Sequence, residues 1–360
     1  MSTVPVRLQR TALFLLVVFG LTWGFDLLVN STIGQQGLLE SGMAPLGMLL
    51  PAAVVIVFRL FLLSDDPLHR SSYQDTPRLI LFAFLALTAL YAVPTALLLF
   101  TDVRADLLGG LGSLLITLWT LLLLFIYPQV GSERFTRAGL GLGEAGTTVT
   151  FILATAAFFV VQAALDLLCA TGPFVGRLDR IAGLAIPPAL YYPGLLIYFL
   201  IALIGVPLAQ LAVTFGEEYA WRGFVQNELM RLGRIPGALL TGFIWGLWHI
   251  PIILSGIHTY PASAGGIALG LVFFILFGLI LSYAVLKTQS IWSAVFLHGV
   301  VNSLYGFVRT YVVRPDNPVI AFGLGIFGLL FLVAIAALIL RDPVWKEDHR
   351  RGAFPGGAGE

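Results

Sequence analysis

Apolar residues run along this chain in long unbroken blocks, with polar residues gathered in the short gaps between them. A helix needs about 20 apolar residues to cross the hydrocarbon core of a bilayer. Ten blocks qualify as candidate spans: 12–29, 44–63, 79–100, 107–127, 148–168, 190–215, 236–256, 265–286, 290–307 and 318–340. The blocks are continuous, whereas a transmembrane β-barrel shows ten-residue stretches of alternating polarity. Open backbone in lipid must satisfy its own hydrogen bonds, so the blocks predict helices. The expected fold is therefore all-α, a polytopic transmembrane helix bundle of about ten spans.

Composition strengthens that reading. Of 360 residues, 58% are hydrophobic and 11% charged, against about 25% charged in an ordinary soluble domain. The net charge of +1 gives no basic face for nucleic acid, so the partners expected are the lipid bilayer and a membrane-borne substrate. The single cysteine, Cys169, rules out an internal disulfide framework or a cysteine metal site and reads as a small buried apolar residue. The block after Arg7 and Arg10 lacks a clear cleavage site and reads as a retained first span. Most of the 20 Lys and Arg fall in alternate loops, counted from the N-terminus. This places both termini in the cytoplasm of a cell membrane, expected to be a bacterial inner membrane. Residues 341–360 read as a short cytoplasmic tail.

Ionisable residues inside spans cost about 2.5–3.5 kcal/mol each on insertion scales and are candidates for function. Asp26 and Arg59 stand isolated in the first half and carry no assignment. The second half holds three polar motifs. In Gly216-Glu217-Glu218-Tyr219-Ala220-Trp221-Arg222, Glu218 and Arg222 lie four apart on one helix face and can pair. Glu217 is rotated about 100° from Glu218 and is free to face a cavity. A carboxylate in a dry cavity is a stronger base than one in water. In Trp245-Gly246-Leu247-Trp248-His249-Ile250-Pro251, the proline loosens the helix beside the histidine, and Trp245 lies one turn away as a wall. In His298-Gly299-Val300-Val301-Asn302, two donors share a face and could hold an oxyanion. Taken singly, the motifs fit an interfacial charge cluster, a buried core histidine and interhelical hydrogen bonding. A single hydrolytic site accounts for all three together.

Glu217-Glu218-x-x-x-Arg222, Trp245-x-x-x-His249 and His298-x-x-x-Asn302, in that order, resemble the intramembrane proteases of the CAAX-processing and bacteriocin-processing (CPBP, or Abi) family, and among them the type II CAAX endopeptidases. The second motif commonly begins with Phe, so Trp245 is a departure that keeps the aromatic character. The resemblance covers about residues 205–310. It divides the chain into N-terminal spans (1–146), a catalytic transmembrane core (147–340) and the tail (341–360). It implies Glu217 as the water-activating base, His249 as its helper, His298 and Asn302 as oxyanion donors, and Glu218 and Arg222 as support for Glu217. The implied reaction is hydrolysis of a peptide bond in a membrane-associated substrate, lipidated CAAX-like proteins among them. The site is expected to open toward the cytoplasmic half.

No cofactor is obligatory on this reading. Glu217, His249 and His298 would supply a Glu-His-His set if a divalent metal such as zinc were used, although a His-Glu-x-x-His helix is absent. The alternative within the same family is a non-catalytic scaffold or immunity protein. A transporter fits less well, because the polar residues concentrate in three spans and no paired broken segments recur in the two halves. Gly-x-Ser-x-Gly and Gly-x-Gly-Asp protease motifs are also absent. One geometric demand follows. If the sixth span stopped before Glu217, that residue would sit at the surface, with His249 about 20 Å deep in its helix. The sixth helix is therefore expected to continue through Arg222 toward Leu229.

Overall fold

The computed structural model describes residues 3–66, 68–69, 77–101, 103, 105–175, 180–181, 184–185 and 187–346. It is an all-α bundle of polytopic type. Among the described residues eight helical segments are long and apolar enough to cross a membrane: Gln9–Thr32, Pro45–Leu62, Pro77–Phe100, Gly110–Val130, Ala145–Leu168, Pro188–Ala209, Ala264–Thr288 and Ile291–Val312. Among the described residues one pair of named strands occurs, a two-residue antiparallel pairing of Arg180–Ile181 with Leu184–Ala185. The tail expected at 341–360 is described only as far as Lys346, and its remainder lies outside the described residues.

The seventh and tenth expected spans are shorter than their apolar blocks. The first of them is helical over Arg234–Trp248 and again over Ile250–Leu254, broken at His249. Pro251 in the next turn supplies no backbone N–H. The second is helical only over Ile326–Ile339, because residues 313–325 form an irregular stretch before it. Both still link the two ends of the bundle. At one end, Arg234 Nη1 donates to Val344 O at 2.5 Å, Lys287 pairs with Asp342 at 3.1 Å, and Arg10 pairs with Asp65 at 2.6 Å. We call this the terminal end. At the far end, Tyr260 Oη donates to Leu324 O at 2.9 Å, Phe174 bridges Val313, and the Asp316 backbone N–H donates to Thr171 O.

The sixth helix continues well past its apolar block, as the geometric demand required. From Tyr191 it runs through Leu200, a π turn at Ile201–Gly205, a short helix at Val206–Ala209, then Leu211–Ala220, a second π turn at Trp221–Val225, and Gln226–Leu229. The second π turn directly follows the acidic pair, and the Gln226 N–H reaches back five residues to Trp221 O. Such turns widen a helix locally and recur at functional sites. Every residue of Leu211–Ala220 is buried, so this polar segment crosses the centre of the bundle.

Two close approaches seat that segment. A Cβ on Gly216 would lie 2.3 Å from the backbone carbonyl of Met48, so Pro45–Val57 presses directly against the acidic motif. A Cβ on Gly278 would lie 2.7 Å from Gly242 Cα, so the helices carrying His249 and Gly278 cross backbone to backbone. Small residues permit such contacts in membrane bundles. The N-terminal spans thus wall the motif-bearing half. Arg59 donates to Tyr219 Oη at 2.9 Å and to Asp66 at 3.0 Å. Trp23 Nε1 donates to Trp248 O at 3.2 Å, and Trp248 Nε1 returns a bond to Thr22 at 2.8 Å.

Candidate active site

Glu217, Glu218 and Arg222 are fully buried, and His249 and His298 nearly so. The structure brings Glu217 and His249 together, with Oε2 3.9 Å from the imidazole Nε2. It pairs Glu218 with Arg222, as the i, i+4 spacing predicts, and adds the second histidine to that pair. Glu218 pairs with Arg222 at 2.9 Å and accepts from His298 Nδ1 at 2.9 Å. Its direct partners are therefore Arg222 and the second histidine.

Trp245 stands at the centre. Its indole N–H donates to Glu217 Oε2 at 2.8 Å. Its backbone carbonyl faces His249 Nδ1 at 2.9 Å. A carbonyl only accepts, so Nδ1 carries a proton and Nε2 is left toward Glu217. This arrangement comes from the helix break: the His249 backbone N–H bonds Gly246 O at 3.2 Å, one residue short of helical register. The Arg222 guanidinium lies 4.2 Å from the Trp245 ring centroid. Its Nε and Nη2 have no hydrogen-bond partner among the described residues, and the π face of Trp245 attracts the cation beside its Glu218 pair. Both imidazoles meet the same indole, with centroids at 5.5 Å for His249 and 5.4 Å for His298.

Glu217 Oε1 is buried and has no hydrogen-bond partner among the described residues. One carboxylate oxygen is therefore held by Trp245 and the other is available to a reacting group. A buried unpaired acceptor costs about 1–3 kcal/mol, so it marks a place where substrate or water would be bound favourably.

His298 and Asn302 share a helix face but not an environment. His298 is turned into the buried cluster, while Asn302 is exposed and lines a cleft of about 300 Å³. Tyr198, Gln210, Ser303, Thr310 and Tyr311 share that cleft. It lies between the sixth and ninth helices, beside the Pro207 segment, where Pro207 packs against Gly299. The cleft runs from Asn302 toward Tyr311, which is toward the far end of the bundle.

Among the described residues no three His, Cys, Asp or Glu side chains gather to hold an ion. Glu217 and His249 approach one another, but His298 Nδ1 is directed at Glu218. Glu217, His249 and His298 as placed do not form a ligand set.

Sequence reasoning left out several neighbours. Phe274 stacks on His249 at 3.9 Å, and His258 lies 6.2 Å from the same ring, in the loop after the broken helix. Burial holds the His258 imidazole down to about 4, so it is neutral at ordinary pH. Gln210 enters the cleft from the last break in the sixth helix. None of these belongs to a spaced motif, so no sequence signal marks them.

Fold and site together define a multi-pass helical membrane protein with a glutamate–histidine cluster buried in its bundle. Residues 192–304 match the family model described as Type II CAAX prenyl endopeptidase Rce1-like. That segment contains all three motifs, and the resemblance they carry to the CAAX-type intramembrane proteases holds across it. No curated protein matches the chain.

Proposed function

We propose that the protein is an intramembrane endopeptidase in which Glu217 activates water. The observation that carries this is the Glu217–His249 pair, 3.9 Å apart and buried, with Glu217 Oε1 unpartnered. Glu217 and the bare Nε2 of His249 are both acceptors. A water about 2.8 Å from each would donate one O–H to each and direct its lone pair outward at a carbonyl carbon. Glu217 takes the proton as the C–O bond forms, then returns it to the amine as the C–N bond breaks. No residue is acylated and no cofactor enters.

Asn302, which lines the cleft beside the cluster, is the donor for the oxyanion of the tetrahedral intermediate. His298 joins it through Nε2 as an imidazolium, with Glu218 as counter-ion to Nδ1. Arg222 offsets the second carboxylate, keeping the cluster electrically balanced. The substrate is a membrane-associated peptide segment, and the family match brings lipidated CAAX-like proteins into the set to be tested.

The test is cleavage of a membrane-peptide library by purified protein. Wild type is expected to cut, and Glu217→Gln and His249→Ala to be inactive while folded. Cleavage that survives chelation shows that no metal is required, and loss restored by zinc shows the opposite. If wild type cuts nothing while both variants keep full function in cells, the protein is a scaffold or immunity protein and the endopeptidase reading fails.

A further inference from the structure

The peptide unit that joins Trp248 to His249 is the pivot of the helix break. A trans peptide is planar, so its carbonyl and its N–H point in opposite directions. Here the N–H bonds Gly246 O at 3.2 Å. In an unbroken helix it would bond Trp245 O, four residues back. Trp245 O is the acceptor that faces His249 Nδ1 at 2.9 Å. The backbone N–H and the imidazole therefore compete for one carbonyl. The imidazole keeps it only while the peptide unit stays tilted toward Gly246.

The carbonyl side of that unit is held by the first helix, Thr3–Thr32, where Trp23 Nε1 donates to Trp248 O at 3.2 Å. The Trp248 side chain is held as well. Its Nε1 donates to Thr22 Oγ1 at 2.8 Å, and the Thr22 hydroxyl donates onward to Val18 O at 2.8 Å. Backbone and side chain of Trp248 are thus fixed to consecutive residues of one helix. Thr22 and Trp248 are buried, where an unpaired donor or acceptor is costly. The Trp248 ring in turn meets His249 edge-on, with centroids 4.7 Å apart.

The same helix reaches the other irregular segment of the site. Phe14 meets Phe224 of the π turn Trp221–Val225 at 5.1 Å. Phe14, Val18 and Thr22 form one buried stripe at i, i+4 spacing. That stripe registers the π turn after the acidic pair against the break that carries His249.

We infer that the first helix is a positioning element of the site, with Trp23 and Thr22 as positioning residues for His249. They tilt the Trp248–His249 peptide unit, which frees Trp245 O for His249 Nδ1 and leaves Nε2 toward Glu217. Both lie outside residues 192–304, the segment that matches the family model. The effect on catalysis rests on the endopeptidase reading, whereas the effect on the imidazole does not.

Two readouts test the two effects separately. The first is the pair of imidazole nitrogen NMR resonances of His249 in the protein in detergent micelles, assigned by their absence from His249→Ala. Wild type is expected to show a widely separated pair, the signature of a single tautomer. Trp23→Phe and Thr22→Val are expected to draw the pair together as tautomers mix. Thr22→Ser keeps the hydroxyl and is expected to keep the wild-type pair. The second readout is the cleavage rate on the library peptide that wild type cuts fastest. One net hydrogen bond corresponds to about two- to tenfold, so Trp23→Phe and Thr22→Val are expected to lower kcat by about that factor with KM unchanged. Wild-type resonances in both variants overturn the inference, whatever their stability. Equal losses in Thr22→Ser and Thr22→Val also overturn it, because packing and not the hydroxyl is then responsible, and this pair decides the matter if Trp23→Phe does not fold. Shifted resonances with unchanged kcat overturn the positioning role. If the resonances shift as expected while wild type cuts nothing, the hold on His249 stands and the endopeptidase reading is what fails.

Discussion

At the scale of single residues, Trp245 sets how the Glu217 carboxylate lies, because its N–H occupies Oε2 and leaves Oε1 to the reaction. A phenylalanine there would fill nearly the same space and donate nothing. A hydrogen bond to a charged group contributes about 1.5–3 kcal/mol, so Trp245→Phe is expected to lower kcat by about ten- to a hundredfold with KM unchanged. Equal kcat in the two proteins would show that the carboxylate is oriented without the indole. Arg222 makes a different prediction. It is fully buried, and Glu218 is its one salt-bridge partner among the described residues. Removing one member of a buried pair strands the other, at a cost of about 3–5 kcal/mol. Arg222→Leu is expected to lose that much stability in a chemical unfolding titration. A paired Glu218→Gln, Arg222→Leu double variant should recover part of it, since no uncompensated carboxylate then remains. No recovery would mean that packing, and not charge, dominates at Arg222.

At the scale of elements, the acidic motif depends on how closely Pro45–Val57 approaches it. A Cβ on Gly216 would meet Met48 O at 2.3 Å, and the obstruction is backbone, which cannot rotate away. Overpacking of this kind costs about 1–3 kcal/mol. Gly216→Ala should therefore lower thermal stability and also displace Glu217 from His249, so cleavage falls more than folding does. Unchanged cleavage in a folded Gly216→Ala protein would show that the helix can shift without cost to the site. The same contact explains what could be read from the chain. The spans and the three motifs were legible because apolar length and fixed i, i+4 spacing are local properties. The run of the sixth helix through Arg222 was also legible, from the depth that His249 imposes. The added bond between Glu218 and His298 was not, because it depends on how two helices 80 residues apart rotate against each other. Nor was the separation of His298 from Asn302. Their shared face is real, but the neighbouring helix covers one residue and leaves the other beside the cleft. The breaks at His249 and before Ile326 shortened two expected spans, because hydropathy measures apolarity and not helical continuity.

At the scale of the whole molecule, the two ends of the bundle differ in what they hold. The terminal end gathers the ion pairs Arg10–Asp65, Arg59–Asp66 and Lys287–Asp342. At that end the Val344 N–H bond and Lys287 hold the Asp342 carboxyl below its ordinary range, so it stays charged at neutral pH. The far end holds the Tyr198–Tyr311 part of the cleft and the His258 loop. Which end faces the cytoplasm decides which proteins can be substrates, and the chain carries its own reporter for the question. Cys169 is the single cysteine in the sequence and is exposed just past the Ala145–Leu168 helix. That helix is the fifth span, so with a cytoplasmic N-terminus its end emerges on the extracytoplasmic side. The Thr171 carbonyl two residues on accepts from the Asp316 N–H, which ties Cys169 to the far end of the bundle. An impermeant maleimide is therefore expected to label the unmodified protein in intact cells, and Cys169→Ser to abolish the signal. Labelling that requires permeabilisation would invert the whole bundle. The far end would then face the cytoplasm, and lipidated cytoplasmic proteins would become the substrates to test first.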